Sequence, residues 1–428
     1  MRFFSEEFTT NHTNQHEQVV IYKAPNFSLF TAVRSLSSVF RSFGSCGSWL
    51  IFLVLFSFVM PVYAQNSTSS WWYTLEQGKA SFRDGSYGDA LMYFEDARRQ
   101  RQAIYEGMRT ELIDLLSQPQ VRRLGDALDQ VDSFARERRY DKAAAALDEA
   151  YYRYPKADYK NSASAVLDTL GKLKDYPEAE YWIGEVYYTE GELDLALAQY
   201  QKALDLSALS EQKSFRTDIL YKIAGVYKIK QNYNDMERVL LQILEKDTLW
   251  SSGDVADISV KTSQIAAQNA FARNAMTKTL ETEGIDRFLS LYRYDNTEVE
   301  QAHRLLGLYY YASGRHSRAQ EHLMYAFLIQ NSVIISELIH NEFDYSFNGL
   351  DELFTRIARY PAITGYIDSV DYYKTAYYLG CGLYGNGKTA AARSMWSFLQ
   401  ACAPAGEWQN RSRSQLGSPR LDPAIQMP

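Results

Sequence analysis

Four residues with the spacing of a phosphate-binding loop stand late in this chain: Gly382, Gly387, Lys388 and Thr389, in GLYGNGKT. In such a loop backbone amides cradle the phosphates, the lysine reaches the outermost ones and the hydroxyl meets a metal ion. It works only where a buried strand runs in and a helix opens after it, so that the amides converge on the anion. The stretch upstream, DYYKTAYYLGC, instead spaces its aromatics by three and four residues, which suits a helix. The chain after Thr389 is also short for the rest of a parallel sheet. Nucleotide binding is therefore not expected, and Lys388 and Thr389 should open a second helix as solvated residues. His303, His316, His322 and His340 show neither an i,i+4 pair nor the spacing of a zinc peptidase, so His322 reads as a capping or surface residue. Cys381 and Cys402 read as packed thiols at different heights of one helix pair. The carboxylates recur at the intervals of a solvated helix face. No enzyme activity, cofactor or metal is expected.

The elements that position these residues are helical from Ser70 onward, with apolar positions at three- and four-residue spacing. A hydrophobic fraction of 46% supports a folded chain, and ten prolines with 23 glycines are few for a β-rich one. The net charge of −7 is spread without long blocks, which argues against nucleic acid or an anionic membrane surface as the main partner. Tyrosine is unusually common, at 33 residues.

Several segments repeat one arrangement: a small residue, an aromatic three on, often Gly seven on, a small residue twelve on, a large apolar one sixteen on, a small one nineteen on. Gly184, Tyr187, Gly191, Ala196, Tyr200 and Ala203 are the clearest copy; Gly307, Tyr310, Gly314, Ala319, Leu323 and Ala326 repeat it. Gly78, Gly85, Ala90, Phe94 and Ala97 precede them, and Gly380, Leu383, Gly387, Ala392, Trp396 and Leu399 close the series. Val131, Phe134, Ala143, Leu147 and Ala150 keep all but the glycines, and Ala224, Tyr227, Met236, Leu240 and Ile243 form a degenerate copy. Close packing of two antiparallel helices explains the pattern. A small residue at the crossing lets the backbones approach, the large residue of the partner helix fills the hole beside it, and glycine takes the positive φ of the helix end.

Residue by residue these copies resemble the tetratricopeptide repeat. The resemblance implies a right-handed superhelix, an α-solenoid of antiparallel helix pairs, here with additional inserted helices. It organises the chain as N-terminal repeats over 65–250, a helical insertion over 251–298, a repeat over 299–330, a second insertion over 331–371, a last repeat over 372–404 and a disordered tail over 405–428. Extra helices are expected over 104–117, 160–174, 255–279 and 350–360. Residues 1–64 read as a secretory leader: Arg34 and Arg41 precede the apolar WLIFLVLFSFVM, and PVYA ends at a cleavage point after Ala64. The apolar run is about a dozen residues, too short to span a ~30 Å hydrocarbon core, so no integral span should remain after cleavage. The product is expected to be exported, to a periplasm or the exterior.

In such a superhelix the first helix of each pair lines a concave face. Phe82, Tyr188, Tyr311 and Tyr384 fall one turn along from the packing positions; Leu75, Tyr181, Tyr221 and Tyr377 fall one turn back. Glu185 stands where family members that hold a peptide carboxyl group carry basic or amide residues, so that clamp is not expected. The aromatics are either core covered by the insertions or a groove for an extended or helical peptide. The resemblance implies a non-enzymatic scaffold for other proteins or peptide segments in the cell envelope. The alternatives are a periplasmic accessory protein that binds a small hydrophobic ligand or partners a transporter, an envelope hydrolase with a degenerate site, and a homo-oligomer joined through helix faces.

Overall fold

A computed structural model describes residues 70–117, 126–153, 160–245, 247, 250 and 274–423. The leader, its cleavage point and most of the helix expected over 255–279 lie outside these. Among the described residues the regular structure is helical with no strand, and the chain is all-α. In chain order the helices are α1 Trp71–Arg83, α2 Tyr87–Ser117, α3 Asp126–Arg136, α4 Tyr140–Arg153, α5 Lys160–Leu173, α6 Pro177–Glu190, α7 Leu193–Asp205, α8 Phe215–Ile229 and α9 Tyr233–Leu244. After helical residues 274–283 come α10 Ile285–Leu291, α11 Glu300–Ala312, α12 His316–Asn341, α13 Leu350–Ile357, α14 Pro361–Ser369, α15 Tyr372–Gly385, α16 Thr389–Ala401 and α17 Glu407–Gly417.

Six hairpins form where the repeats were read: α1 with α2, α3 with α4, α6 with α7, α8 with α9, α11 with α12, and α15 with α16. The crossing residue does what the spacing requires. A methyl group at Gly78 would come 2.5 Å from Phe94, at Gly184 2.8 Å from Tyr200, at Gly307 2.5 Å from Leu323, and at Gly380 2.6 Å from Trp396. Each partner lies sixteen residues on, so the small residue and the large one are the two halves of one contact. Gly85, Gly191, Gly314 and Gly387 all take positive φ at the turn. The two copies without that glycine keep the conformation: Arg138 has φ 57° and Gln231 φ 56°. Prolines open α6 and α14, where a missing amide costs nothing.

The order of packing departs from a simple row. The α1–α2 hairpin packs directly on α6, through a core of Leu75, Ala90, Phe94, Ala97, Tyr176 and Ile183. The Val131 copy does not stand between them. Together α3, α4 and α5 build a separate core on the distal half of α2, around Tyr105, Leu112, Leu147 and Leu167. Arg101 sits where the two cores meet: its guanidinium lies 4.6 Å from the Trp71 ring centre and 4.5 Å from that of Tyr176, and donates to the Lys172 carbonyl. From α7 onward one continuous core runs through the remaining hairpins.

Three expected boundaries are corrected. Residues 104–117 are not a further helix but the continuation of α2. The insertion placed from 331 begins inside α12, which runs to Asn341 because its polar residues satisfy themselves: Asn331 donates to the Phe327 carbonyl at 2.8 Å and Ser332 to that of Leu328 at 2.9 Å. The tail expected to be disordered from 405 contains α17, which packs on α16 and α15 through Trp408. Helix α12 is apolar and long enough to cross a membrane, but most of it is buried in the core.

Candidate functional site

The phosphate-loop residues are a helix-pair turn. Gly382 lies inside α15, where a methyl group would meet the Gln320 backbone at 3.3 Å, and Gly387 makes the left-handed turn. Lys388 precedes α16 and pairs with Glu281 at 3.0 Å. No strand leads into it among the described residues. Cys381 and Cys402 are free, buried thiols, and burial pushes their pKa values up to about 12 and about 11, which keeps them unreactive.

The nine aromatic-face candidates do not form one stripe; the structure divides them into local groups. Leu75 is buried in the first core and Phe82, half-buried, packs against Trp182 at 5.7 Å between ring centres. On α6, Tyr181 and Tyr188 are half-buried, and Glu185 is buried between them. Glu185 accepts hydrogen bonds from the Tyr200 hydroxyl and from Lys222 at 2.7 Å, so it ties α6 to α7 and α8 rather than facing a ligand. Tyr221 of α8 is half-buried and reaches to the start of α11, donating to the Glu298 carbonyl at 2.6 Å and accepting from the Ala302 amide at 3.1 Å. Leu75 and Glu185 are therefore structural rather than offered to a partner.

The last three candidates converge on one feature, the segment that follows α17. Tyr384 donates to the Pro419 carbonyl at 3.2 Å. Tyr377 donates to the Asp422 carboxylate at 2.6 Å and accepts from Gln415 at 3.2 Å. Tyr311 handles the Asp422 backbone from both sides, donating to its carbonyl at 3.1 Å and accepting from its amide at 2.8 Å. Gln415 also accepts from the Arg420 amide at 2.9 Å, and Arg411 lies 3.8 Å from the Asp422 carboxylate. Burial, followed for Tyr377 by the sulfur of Cys381 and the Asp422 carboxylate, raises the Tyr311 and Tyr377 pKa values, so both hydroxyls stay protonated donors. An aromatic face thus holds a chain segment through hydroxyl groups, at the end of the array where sequence reading expected disorder.

A second polar cluster was missed. His322, expected at the surface, is buried on α12 against His303 of α11, with their Nδ1 atoms 3.0 Å apart. One ring must donate and the other accept, so the pair cannot carry protons on both Nδ1 atoms. The His303 Nε2 faces the buried Asp247 carboxylate at 3.7 Å, Tyr294 donates to the same carboxylate, and Trp250 packs on both imidazoles. Burial lowers the His303 pKa, and burial together with His303 lowers that of His322 further. The only sequence signal was that the two histidines occupy the two helices of one hairpin. Buried carboxylates also correct the reading of a solvated face: Glu180 is held by Arg98 at 3.3 Å and Lys202 at 2.7 Å, and Glu300 by Gln330 at 2.6 Å and Arg304 at 3.3 Å. Among the described residues no group of three or more His, Cys, Asp or Glu is placed to hold a metal ion.

No protein-family model matches the chain. It is 26% identical over 346 residues to an uncharacterized protein of Treponema pallidum, covering 81% of this chain and 89% of that protein. It is 24% identical over 273 residues to an uncharacterized protein of Borreliella burgdorferi, covering 61% of this chain and 84% of that one. Among solved structures, BtubC (BKLC) from P. vanneervenii aligns over 77% of this chain and 96% of its own at 16% identity, with a TM-score of 0.25. The chain is thus similar over most of its length to proteins of two bacteria whose own roles are not described.

Proposed function

We propose that this chain is a non-enzymatic scaffold of the tetratricopeptide type, its hairpins wound as a superhelix, exported to the cell envelope, where it binds other proteins. The observation that supports it best is the tyrosine face of α11 and α15, which holds a segment without regular structure by addressing its backbone. Recognition of that kind tolerates many side chains, as a protein-binding groove requires. Half-buried Tyr181 and Tyr188 on α6 offer a second aromatic surface of the same origin. The small-hydrophobe alternative has weaker support: a cleft of about 410 Å³ among α7, α8 and α9 has Leu204, Leu220, Ile223 and Val239 in its lining, but Asp205, Arg216 and Arg238 line it too, and an apolar ligand there would lie against charged groups. The reading is tested by affinity capture from the native envelope with the wild-type chain and Tyr188→Ala. A defined protein retained by the first and lost from the second, at unchanged helicity, is expected; equal retention of nothing specific by both contradicts the scaffold.

A further inference from the structure

Residues 419–422 are gripped in a way that does not depend on their belonging to this chain. Four of the contacts fall on groups any extended peptide presents: the Pro419 carbonyl taken by Tyr384, the Arg420 amide taken by Gln415, and the Asp422 amide and carbonyl both taken by Tyr311. One contact is selective, since the Asp422 carboxylate accepts from Tyr377 at 2.6 Å with Arg411 at 3.8 Å. The two residues between contribute little side-chain contact: Arg420 is exposed, and Leu421 is 48% exposed. The receiving side is preorganised. Tyr311 packs against His316 at 5.4 Å and Tyr378 at 5.2 Å between ring centres, and Tyr377 against Trp408 at 5.3 Å while its hydroxyl accepts from Gln415. We propose that Tyr311, Tyr377 and Tyr384, with Arg411, form a binding site for a carboxylate-bearing segment of a partner protein, and that residues 419–422 are an intramolecular occupant which that segment displaces.

This inference rests on the scaffold reading and adds to it the class of ligand and its control. A tethered occupant competes at an effective concentration of about 1 mM, so a free peptide of equal intrinsic affinity is almost shut out of the wild-type chain. The specificity read from the site is a carboxylate three residues after the carbonyl that Tyr384 takes, with no demand on the two side chains between.

The test uses the full chain and a fluorescein-labelled peptide of sequence GSPRLDPA, residues 417–424. Asp422→Ala in the protein removes the selective contact of the occupant without altering the site. Fluorescence anisotropy should show the peptide binding this variant at least tenfold more tightly than wild type. Adding Tyr377→Phe to the variant, or replacing Asp by Ala in the peptide, should weaken binding severalfold while circular dichroism stays unchanged. Hydrogen exchange over 418–423 should be faster in Asp422→Ala than in wild type. Peptide binding no tighter to Asp422→Ala than to wild type, or unaltered exchange over 418–423, overturns the proposal and leaves the segment a fixed strap. Tyr188-dependent capture, measured separately, would still stand in that case, so failure of the peptide site and failure of the scaffold reading are distinguishable.

Discussion

Replacing Gly307 by alanine adds one methyl group where the structure has no room for it. The new carbon would lie 2.5 Å from Leu323 Cγ, 2.9 Å from its Cδ2 and 3.1 Å from its backbone nitrogen. Leu323 is fully buried and its backbone belongs to α12, so a rotamer change cannot relieve the contact. Overpacking of this kind costs about 1–3 kcal/mol, whereas alanine in place of glycine within a helix gains about 1 kcal/mol. The contact with the Leu323 backbone nitrogen puts the cost in the upper part of that range, about 2–3 kcal/mol, so after the helix gain of about 1 kcal/mol a net loss of about 1–2 kcal/mol is expected. Gly107 supplies the control: it is also helical, in α2, and a methyl group there meets nothing. Gly107→Ala should therefore gain up to about 1 kcal/mol, opposite in sign for the same chemical change. Urea unfolding followed by circular dichroism reads both midpoints. Gly307→Ala as stable as wild type or more so would refute the crossing-residue reasoning.

Gln231 holds a left-handed turn that its fellow copies give to glycine, so Gln231→Gly should raise stability by about 1 kcal/mol in the same assay; Arg138→Gly should gain less, because the Arg138 guanidinium also lies 5.3 Å from the Tyr105 ring centre. His303 and His322 have folded pKa values below the ordinary one, so the unfolded chain takes up more protons as pH falls, and their contribution is present above about pH 6.5 and lost on acidification through it. Glu300, whose pKa burial raises, acts in the opposite sense, so the readout is a comparison: His322→Gln should show a shallower loss of stability from about pH 7 to pH 5 than wild type. An identical slope would remove the histidine pair from the account. Sequencing of the mature protein should begin at Gln65; a first residue well upstream would contradict cleavage after Ala64.

The hairpins were legible because their contact is local in sequence. Gly184 with Tyr200 and Gly380 with Trp396 are read from a fixed spacing, since the short turn between Glu190 and Leu193, or between Gly385 and Thr389, leaves a single antiparallel register. What could not be read depends on contacts between distant segments. Asn331 and Ser332 look like a helix end, and only their partners 41 and 38 residues away, the Tyr372 hydroxyl that donates to Asn331 and the Tyr294 amide that donates to Ser332, reveal a continuous buried helix. Helix α17 lacks an apolar periodicity of its own and is held by Trp408 against Tyr377 and Tyr378. For the aromatic face, residue type was visible but occupancy was not: Glu185 is consumed by Lys222, and Tyr311 by Asp422, partners 37 and 111 residues away.

If first-helix aromatics meet other proteins, a photo-crosslinking residue placed at Tyr188 in the living cell should give a discrete covalent adduct, and one placed at Gln201, on the exposed side of α7, should give none. Adducts from Gln201 but not from Tyr188 would place any partner on the opposite helices and contradict that reading.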